Sequence, residues 1–260
     1  MRIGILGAGS IGSTVARRLS QAGHDVKVAN SREPETIDAS VCEFGARRVE
    51  AHEVAADVDV LVTSIPFNKM PGIVSLVAAL PPEVVIVDTS NYYPHRDGNF
   101  PAVDAGQAES VWMSETLGRP VVKAWNAITS QSFATKAMPP GTEGRIAIPV
   151  AGDDADGRDI AMRLVEESGF DAFDSGFLAD SWRLQPASPA YCTDLTCKEM
   201  PAALAAADKT SIPRIRDLSM ALLIEKTQRY TEIGDRFGEW LVEFNRLIYM
   251  PTANEAGHTS

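Results

Sequence analysis

The sequence predicts an α/β fold, a doubly wound parallel sheet followed by a helical carboxyl-terminal extension, and three observations carry that prediction. Short apolar runs alternate with helix-period segments through residue 176. The first run, Ile3-Gly4-Ile5-Leu6, leads straight into Gly7-Ala8-Gly9-Ser10-Ile11-Gly12, after which Ile11, Val15 and Leu19 recur at helical spacing. Beyond residue 198 the apolar positions keep a helical period and no strand signal returns.

The glycine turn has a mechanism. In a strand-turn-helix setting Gly7 permits the tight turn, Gly9 lets a pyrophosphate approach the backbone, and Gly12 lets helix and strand pack closely. The free N–H groups around Ser10 and Ile11, with the positive end of the helix dipole, then face the phosphates. A second strand, residues 25–29, follows the helix stop at Gly23 and ends at Asn30-Ser31-Arg32. An NAD site places a carboxylate there to accept from the ribose 2′-hydroxyl, whereas an amide, a hydroxyl and a guanidinium suit a 2′-phosphate. The cofactor expected is NADP, with Glu33 and Glu35 tempering the local charge.

The remaining elements follow in order. A weakly periodic helix at 36–44 leads to a short strand at 46–49, and the nearly continuous apolar run 58–66 reads as a strand buried on both faces. Its end delivers Ser64, Ile65 and Pro66 to the carboxyl edge of the sheet, where ligands bind in this fold class. A helix at 70–80 and a strand at 83–88 carry Asn91 to the same edge, and residues 94–106 read as a loop able to cover it. A helix at 107–117 feeds a strand at 120–125, which ends in Asn126-Ala127-Ile128, and a strand at 145–150, a helix at 156–168 and a strand at 170–174 complete the alternation. The expected division is a dinucleotide-binding domain at 1–178, a helical extension at 179–250 and a disordered tail at 251–260.

Composition bounds the partners. The formal charge of −11 and pI near 4.9 argue against nucleic acid or an anionic membrane as general partners, because a basic footprint is needed to neutralise phosphates. No signal-peptide pattern and no apolar window of about 18 residues is present, so the expected address is the cytoplasm. Cys42, Cys192 and Cys197 are an odd set without a C-x-x-C, expected as free thiols, and the four scattered histidines support no metal site.

With these segments in hand, the chain resembles the NADPH-dependent reductases of the deazaflavin coenzyme F420, and more distantly the amino-terminal domains of pyrroline-5-carboxylate reductases and the reductase domain of the STEAP metalloreductases. The resemblance rests on the glycine turn, Asn30-Ser31-Arg32, Ser64-Ile65-Pro66, Asp88-Thr89-Ser90-Asn91 and Val122-Lys123-Ala124-Trp125-Asn126-Ala127-Ile128, and covers residues 1–176. It implies a Rossmann domain, NADP(H) as cofactor, and a hydride exchanged between nicotinamide C4 and a flavin-like or deazaflavin acceptor. Phe67-Asn68-Lys69-Met70 lacks the tryptophan expected in the F420 reductases, and residues 177–260 are an extension those compact enzymes do not have.

Hydride transfer between stacked rings needs orientation and exclusion of water rather than an acid–base triad. Ile65 and Pro66 are candidates for one wall of the nicotinamide pocket, Asn91 for amide contacts, and Asn126, Ala127 and Ile128 for the opposite wall, although an asparagine closing a strand also suits a helix cap. A carbonyl, imine or hydroxy-acid substrate would need a general acid as well. Lys198 lacks a glycine frame and Lys123 reads as structural, which leaves Tyr191 as donor and Arg183 as anion anchor, or both as linker surface. A redox-silent NADP sensor is the alternative from another class. In the extension, Ile215, Leu218, Leu222, Tyr230, Ile233, Phe237, Leu241, Phe244 and Ile248 form an apolar stripe on a helix that, unbroken over 213–248, would run ~54 Å. Such a helix must bend, break or leave its own subunit, with Gly234 and Gly238 marking a break or a close approach, and a homodimer is the expected outcome.

Overall fold

The computed structural model of the protein describes residues 1–229 and 237–251. β1 (Arg2–Leu6) is buried from its second residue on, as a strand covered on both faces must be. α1 (Ser10–Gln21) returns along the sheet with Val15, Ala16 and Leu19 inward, and β2 (Asp25–Ala29) pairs parallel with β1, Ile3 opposite Val26. The two-residue β3 (Arg47–Arg48) closes that edge, while β4 (Val60–Thr63) pairs with the other side of β1. The winding therefore reverses between β1 and β4, which opens a crevice at their carboxyl ends.

β5 (Val85–Asp88) and β6 (Val122–Lys123) extend the sheet in parallel, and β7 (Ala147–Gly152) and β8 (Asp171–Asp174) complete the order β3-β2-β1-β4-β5-β6-β7-β8. The sheet departs from the all-parallel expectation at one place. β7 runs antiparallel to β6, with Val122 opposite Gly152, and β8 is parallel to β7. The connection through residues 124–146 stays at the carboxyl edge instead of crossing the sheet, so the next strand must run back.

Between the strands lie α2 (Val74–Ala78), α3 (Pro94–Asp97), α4 (Pro101–Asp104), α5 (Glu109–Leu117), α6 (Ser130–Thr135) and α7 (Ala155–Glu167). One core layer gathers Val15, Leu19, Phe133, Leu164 and Phe170 on the α1 and α7 face; the other gathers Phe67, Met70, Met113, Leu117, Leu184 and Met200. Three local expectations are corrected. The helix expected at 36–44 is two 3-10 turns, Pro34–Thr36 and Ala39–Cys42, because Asp38 takes the N–H of Ser40 and starts a new turn. The helix expected at 70–80 is a 3-10 segment, Phe67–Ile73, with Pro71 inside it, before the single turn of α2. The stretch 94–106 is two one-turn helices, α3 and α4, each opened by a proline at its first position.

The extension carries α8 (Met200–Ala205), α9 (Ile212–Arg229) and α10 (Phe237–Tyr249). Ser219 Oγ on α9 lies 2.9 Å from Tyr249 Oη on α10, a pair that 30 residues of unbroken helix would hold ~45 Å apart, so the chain turns back on itself. Gly238 is a close approach: a Cβ there would overlap Gln131 of α6, and its N–H donates to Gln131 Oε1 at 2.6 Å. On α9 the stripe residues Leu218 and Leu222 are exposed, while Ile212, Arg216 and Ser219 turn inward at spacings of four and three. Tyr230, Ile233 and Gly234, and the tail from residue 252, lie outside the described residues. Among the described residues no helix is long and apolar enough to cross a membrane.

Candidate cofactor and substrate site

The glycine turn is built for a backbone-bound anion. Gly7 has φ +114°, and a Cβ on it would overlap Ser64 O at the end of β4. A Cβ on Gly12 would overlap Gly7 O, so α1 seats directly on the turn. Around Gly9 there is open space, and no side chain caps α1. The first N–H groups of the helix are therefore free to meet a phosphate. Gly9 and Ser10 are exposed, and Ser10 stands in an open groove of about 360 Å³ between α1 and α6.

At the end of β2, Asn30 Oδ1 accepts the N–H of Arg32 at 2.8 Å and its Nδ2 donates to Thr36 Oγ1 at 3.1 Å. This turn holds Ser31 and Arg32 outward, exposed. Ser64 accepts from Thr89 Oγ1 at 3.1 Å, Ile65 packs beside Gly7, and Pro66 caps the following 3-10 segment from the surface.

Behind the loops at the strand ends is a buried ion pair. Lys123 Nζ donates to Asp88 Oδ2 at 2.7 Å and to Ser90 O, and Asp88 also accepts the N–H and hydroxyl of Ser90. These contacts fix the loops carrying Asn91 and Asn126, whose amides interlock. Asn91 Nδ2 donates to Asn126 O at 3.0 Å, and Asn126 Nδ2 donates to Asn91 Oδ1 at 3.1 Å and to Leu184 O at 2.9 Å. Asn126 Oδ1 is buried with no donor. Ala127 accepts the N–H of Cys192 at 3.0 Å through its carbonyl.

Ile11, Asn91 and Asn126 face a cavity of about 300 Å³ whose other side is supplied by the extension. Arg216, Ser219, Met220 and Leu223 of α9 and Leu241, Asn245 and Tyr249 of α10 roof it, with Tyr93, Arg96, Tyr191 and Cys192 along the wall. Tyr93 and Tyr191 hydroxyls meet at 2.6 Å. Burial pushes both phenols above their ordinary range, so both keep their protons at neutral pH. Burial also pushes the Cys192 thiol up, leaving it protonated and unreactive. Arg183 does not reach the cavity; it donates to Leu204 O at 2.7 Å and stacks on Trp182. The cations that do reach it, Arg96 and Arg216, and the hydroxyls of Ser219 and Tyr249, were passed over in the sequence. The signal was present in the four-three-four spacing of Ile212, Arg216, Ser219 and Leu223, hidden by reading the helix for apolar residues alone.

A glycine turn at the switch point of this sheet, opening on a cavity at the strand ends, is the arrangement by which doubly wound folds hold a dinucleotide. Residues 2–92 match the sequence model of the family described as NADP oxidoreductase, coenzyme F420-dependent. Over 57 residues the chain is 47% identical to protein YjhV of Escherichia coli (strain K12), a stretch that is 22% of this chain and 42% of YjhV, so it spans less than half of that relative. The hypothetical protein SMa0349 from Sinorhizobium meliloti superposes with a TM-score of 0.64 at 29% identity, over 75% of this chain and 95% of that one. A candidate F420-dependent NADP-reductase from Arthrobacter sp. FB24 superposes with a TM-score of 0.53 at 23% identity, over 70% and 87% of the two chains, and shares the fold.

Proposed function

We propose that this chain is an NADP(H)-dependent oxidoreductase that passes a hydride between the nicotinamide and an acceptor seated in the cavity at the strand ends. The observation that carries the reading is the bare turn at Gly9 beside a cavity bounded by Ile11, Asn91 and Asn126. Asn126 Oδ1, a buried acceptor without a donor, suits the carboxamide N–H of a nicotinamide, and Ser31 and Arg32 suit the 2′-phosphate. When bound, the reduced cofactor supplies the hydride; the protein positions it, walls off water and holds the acceptor. A cavity left free, rather than filled by the chain's own side chains, supports an enzyme over a redox-silent sensor.

For the acceptor, the family match supports a flavin-like or deazaflavin ring. The roof formed by α9 and α10 favours a second reading, a small carbonyl, imine or hydroxy-acid substrate, because about 300 Å³ shared with a nicotinamide leaves little room for a tricyclic ring. Mixing the protein with NADPH and oxidised F420, FMN or FAD while following absorbance tests the first reading. Turnover with any of them supports it, and none with all three leaves the small-substrate reading. We further propose a homodimer through the outer face of α9 and α10, supported by exposed Leu218, Leu222 and Leu247. Sedimentation as a monomer at micromolar concentration would refute it.

A further inference from the structure

The cavity wall has a charge the rest of the chain does not. In a protein with 24 basic and 35 acidic residues, the lining holds two guanidinium groups, Arg96 and Arg216, and no carboxylate. Arg96 is already engaged: it donates to both oxygens of Asp97 and to Asn91 O. Arg216 is not. It keeps 9% of its surface exposed, its Nε donates to the exposed Asp217 at 2.8 Å, and its two Nη atoms have no hydrogen-bond partner among the described residues. The other charged group facing it is Glu109 from α5, which is committed to the N–H of Tyr92 and shared electrostatically with Lys123. Its guanidinium lies over the Tyr92 ring, 5.1 Å from the centroid, and the Nη donors left without a hydrogen-bond partner suit an anion.

The same lining carries two hydroxyl pairs, Tyr93 with Tyr191 and Ser219 with Tyr249. Ser219 donates to Arg216 O and accepts from Tyr249, so that pair has no proton to spare, whereas the Tyr93–Tyr191 pair uses one proton in its internal bond and has a second to donate. For Tyr191 the neighbouring alternative is the Cys192 sulfur, a weak acceptor. Met220, Leu223 and Leu241 add apolar surface to the same lining.

We infer that the cavity takes a small oxo acid, its carboxylate paired with the Arg216 guanidinium and its carbonyl oxygen accepting from the Tyr93–Tyr191 pair, the product being the hydroxy acid. This rests on the small-substrate reading above. In the reductive direction the carbonyl carbon gains the hydride that NADPH supplies, the C=O π pair moves to oxygen, and that oxygen takes a tyrosine proton, which water restores; NADPH leaves as NADP⁺. Arg216 is thus a binding residue, and the tyrosine pair a proton donor that touches the reacting oxygen.

The test is calorimetric binding of two- to five-carbon oxo acids to the full chain with NADP⁺ present, each compared with its uncharged methyl ester. The acids should bind at least tenfold tighter than the esters; Arg216→Met should erase that ratio, and Arg216→Lys should retain most of it. Tyr191→Phe should keep the ratio while lowering NADPH oxidation by the acids at least a hundredfold. Equal affinity for acids and esters, or no acid binding in protein that holds NADP⁺, would overturn the inference and leave the cofactor reading standing. Failure to hold NADP⁺ would instead remove the reading on which it rests.

Discussion

Lys123 and Asp88 meet at 2.7 Å across the ends of neighbouring strands, with 1% and 0% of their side chains exposed. The Asp88 carboxylate is also tied to Thr63 and Ser90, so its charge is held by a set of donors of which the ammonium is one. Removing Lys123 leaves a buried carboxylate without its cation. Lys123→Met should lower unfolding free energy by about 3–5 kcal/mol in urea titrations, and pairing it with Asp88→Leu should restore much of the loss.

Gly9 and Gly12 separate binding from folding. Gly9 has φ −76° with open space at its side, so Gly9→Ala should fold with a melting temperature near that of the parent while blocking the approach of a pyrophosphate. In Gly12→Ala the new methyl overlaps Gly7 O, and both melting temperature and NADPH binding should fall. Thermal melts and fluorescence titration of NADPH on the two variants give the comparison; a Gly9→Ala protein that binds NADPH normally would contradict the assigned path of the phosphates.

Arg32 is exposed and its turn is held through backbone N–H to Asn30 Oδ1, so truncating its side chain leaves the turn intact. Arg32→Ala should weaken NADPH about 10- to 100-fold, the scale of a charge-assisted hydrogen bond of about 1.5–3 kcal/mol, and leave NADH unchanged. Equal affinities for the two dinucleotides in the parent protein would refute the 2′-phosphate assignment of Asn30 to Arg32.

Burial raises the Glu109 carboxyl to about 7, partly offset by Lys123, the Tyr92 N–H, Gln185 and Arg216. Its folded value lies above the ordinary 4.5, so between about pH 4.5 and 7 the folded chain holds a proton that the unfolded chain has lost. This group's contribution to stability therefore falls as pH rises through that window and is constant above it. Glu109→Gln should abolish the dependence, seen as a stability gain over the parent that grows from pH 5 to pH 7.5 in parallel denaturation series.

The amino-terminal half of the sheet was legible because its signals are local. β1, α1, β2 and β4 are marked by continuous apolar runs and by glycines whose positions the turn itself requires, and Asn91 and Asn126 could be placed at the carboxyl edge from strand order alone. Other features were not marked by apolar runs and glycines. Pro71 and the Asp38 cap broke expected helices into 3-10 turns, a choice made by a few hydrogen bonds. The reversal of β7 depended on where the chain between 124 and 146 lay in space. On α9, periodicity grouped Leu218 and Leu222 on one apolar face, which is exposed, but did not show that the face carrying Arg216 and Ser219 looks inward. Tyr191 was marked by its chemistry as a donor, whereas its partner Tyr93 lies 98 positions away in sequence and only the fold joins them.

The chamber joins residues far apart in sequence, Ile11 of α1 and Tyr249 of α10. The glycine turn is formed by the first strand-turn-helix unit alone, whereas the cavity is enclosed only when α9 and α10 have packed over the strand ends. A chain cut before α9 would accordingly keep the glycine turn and lose the roof of the chamber, leaving the strand ends without that cover.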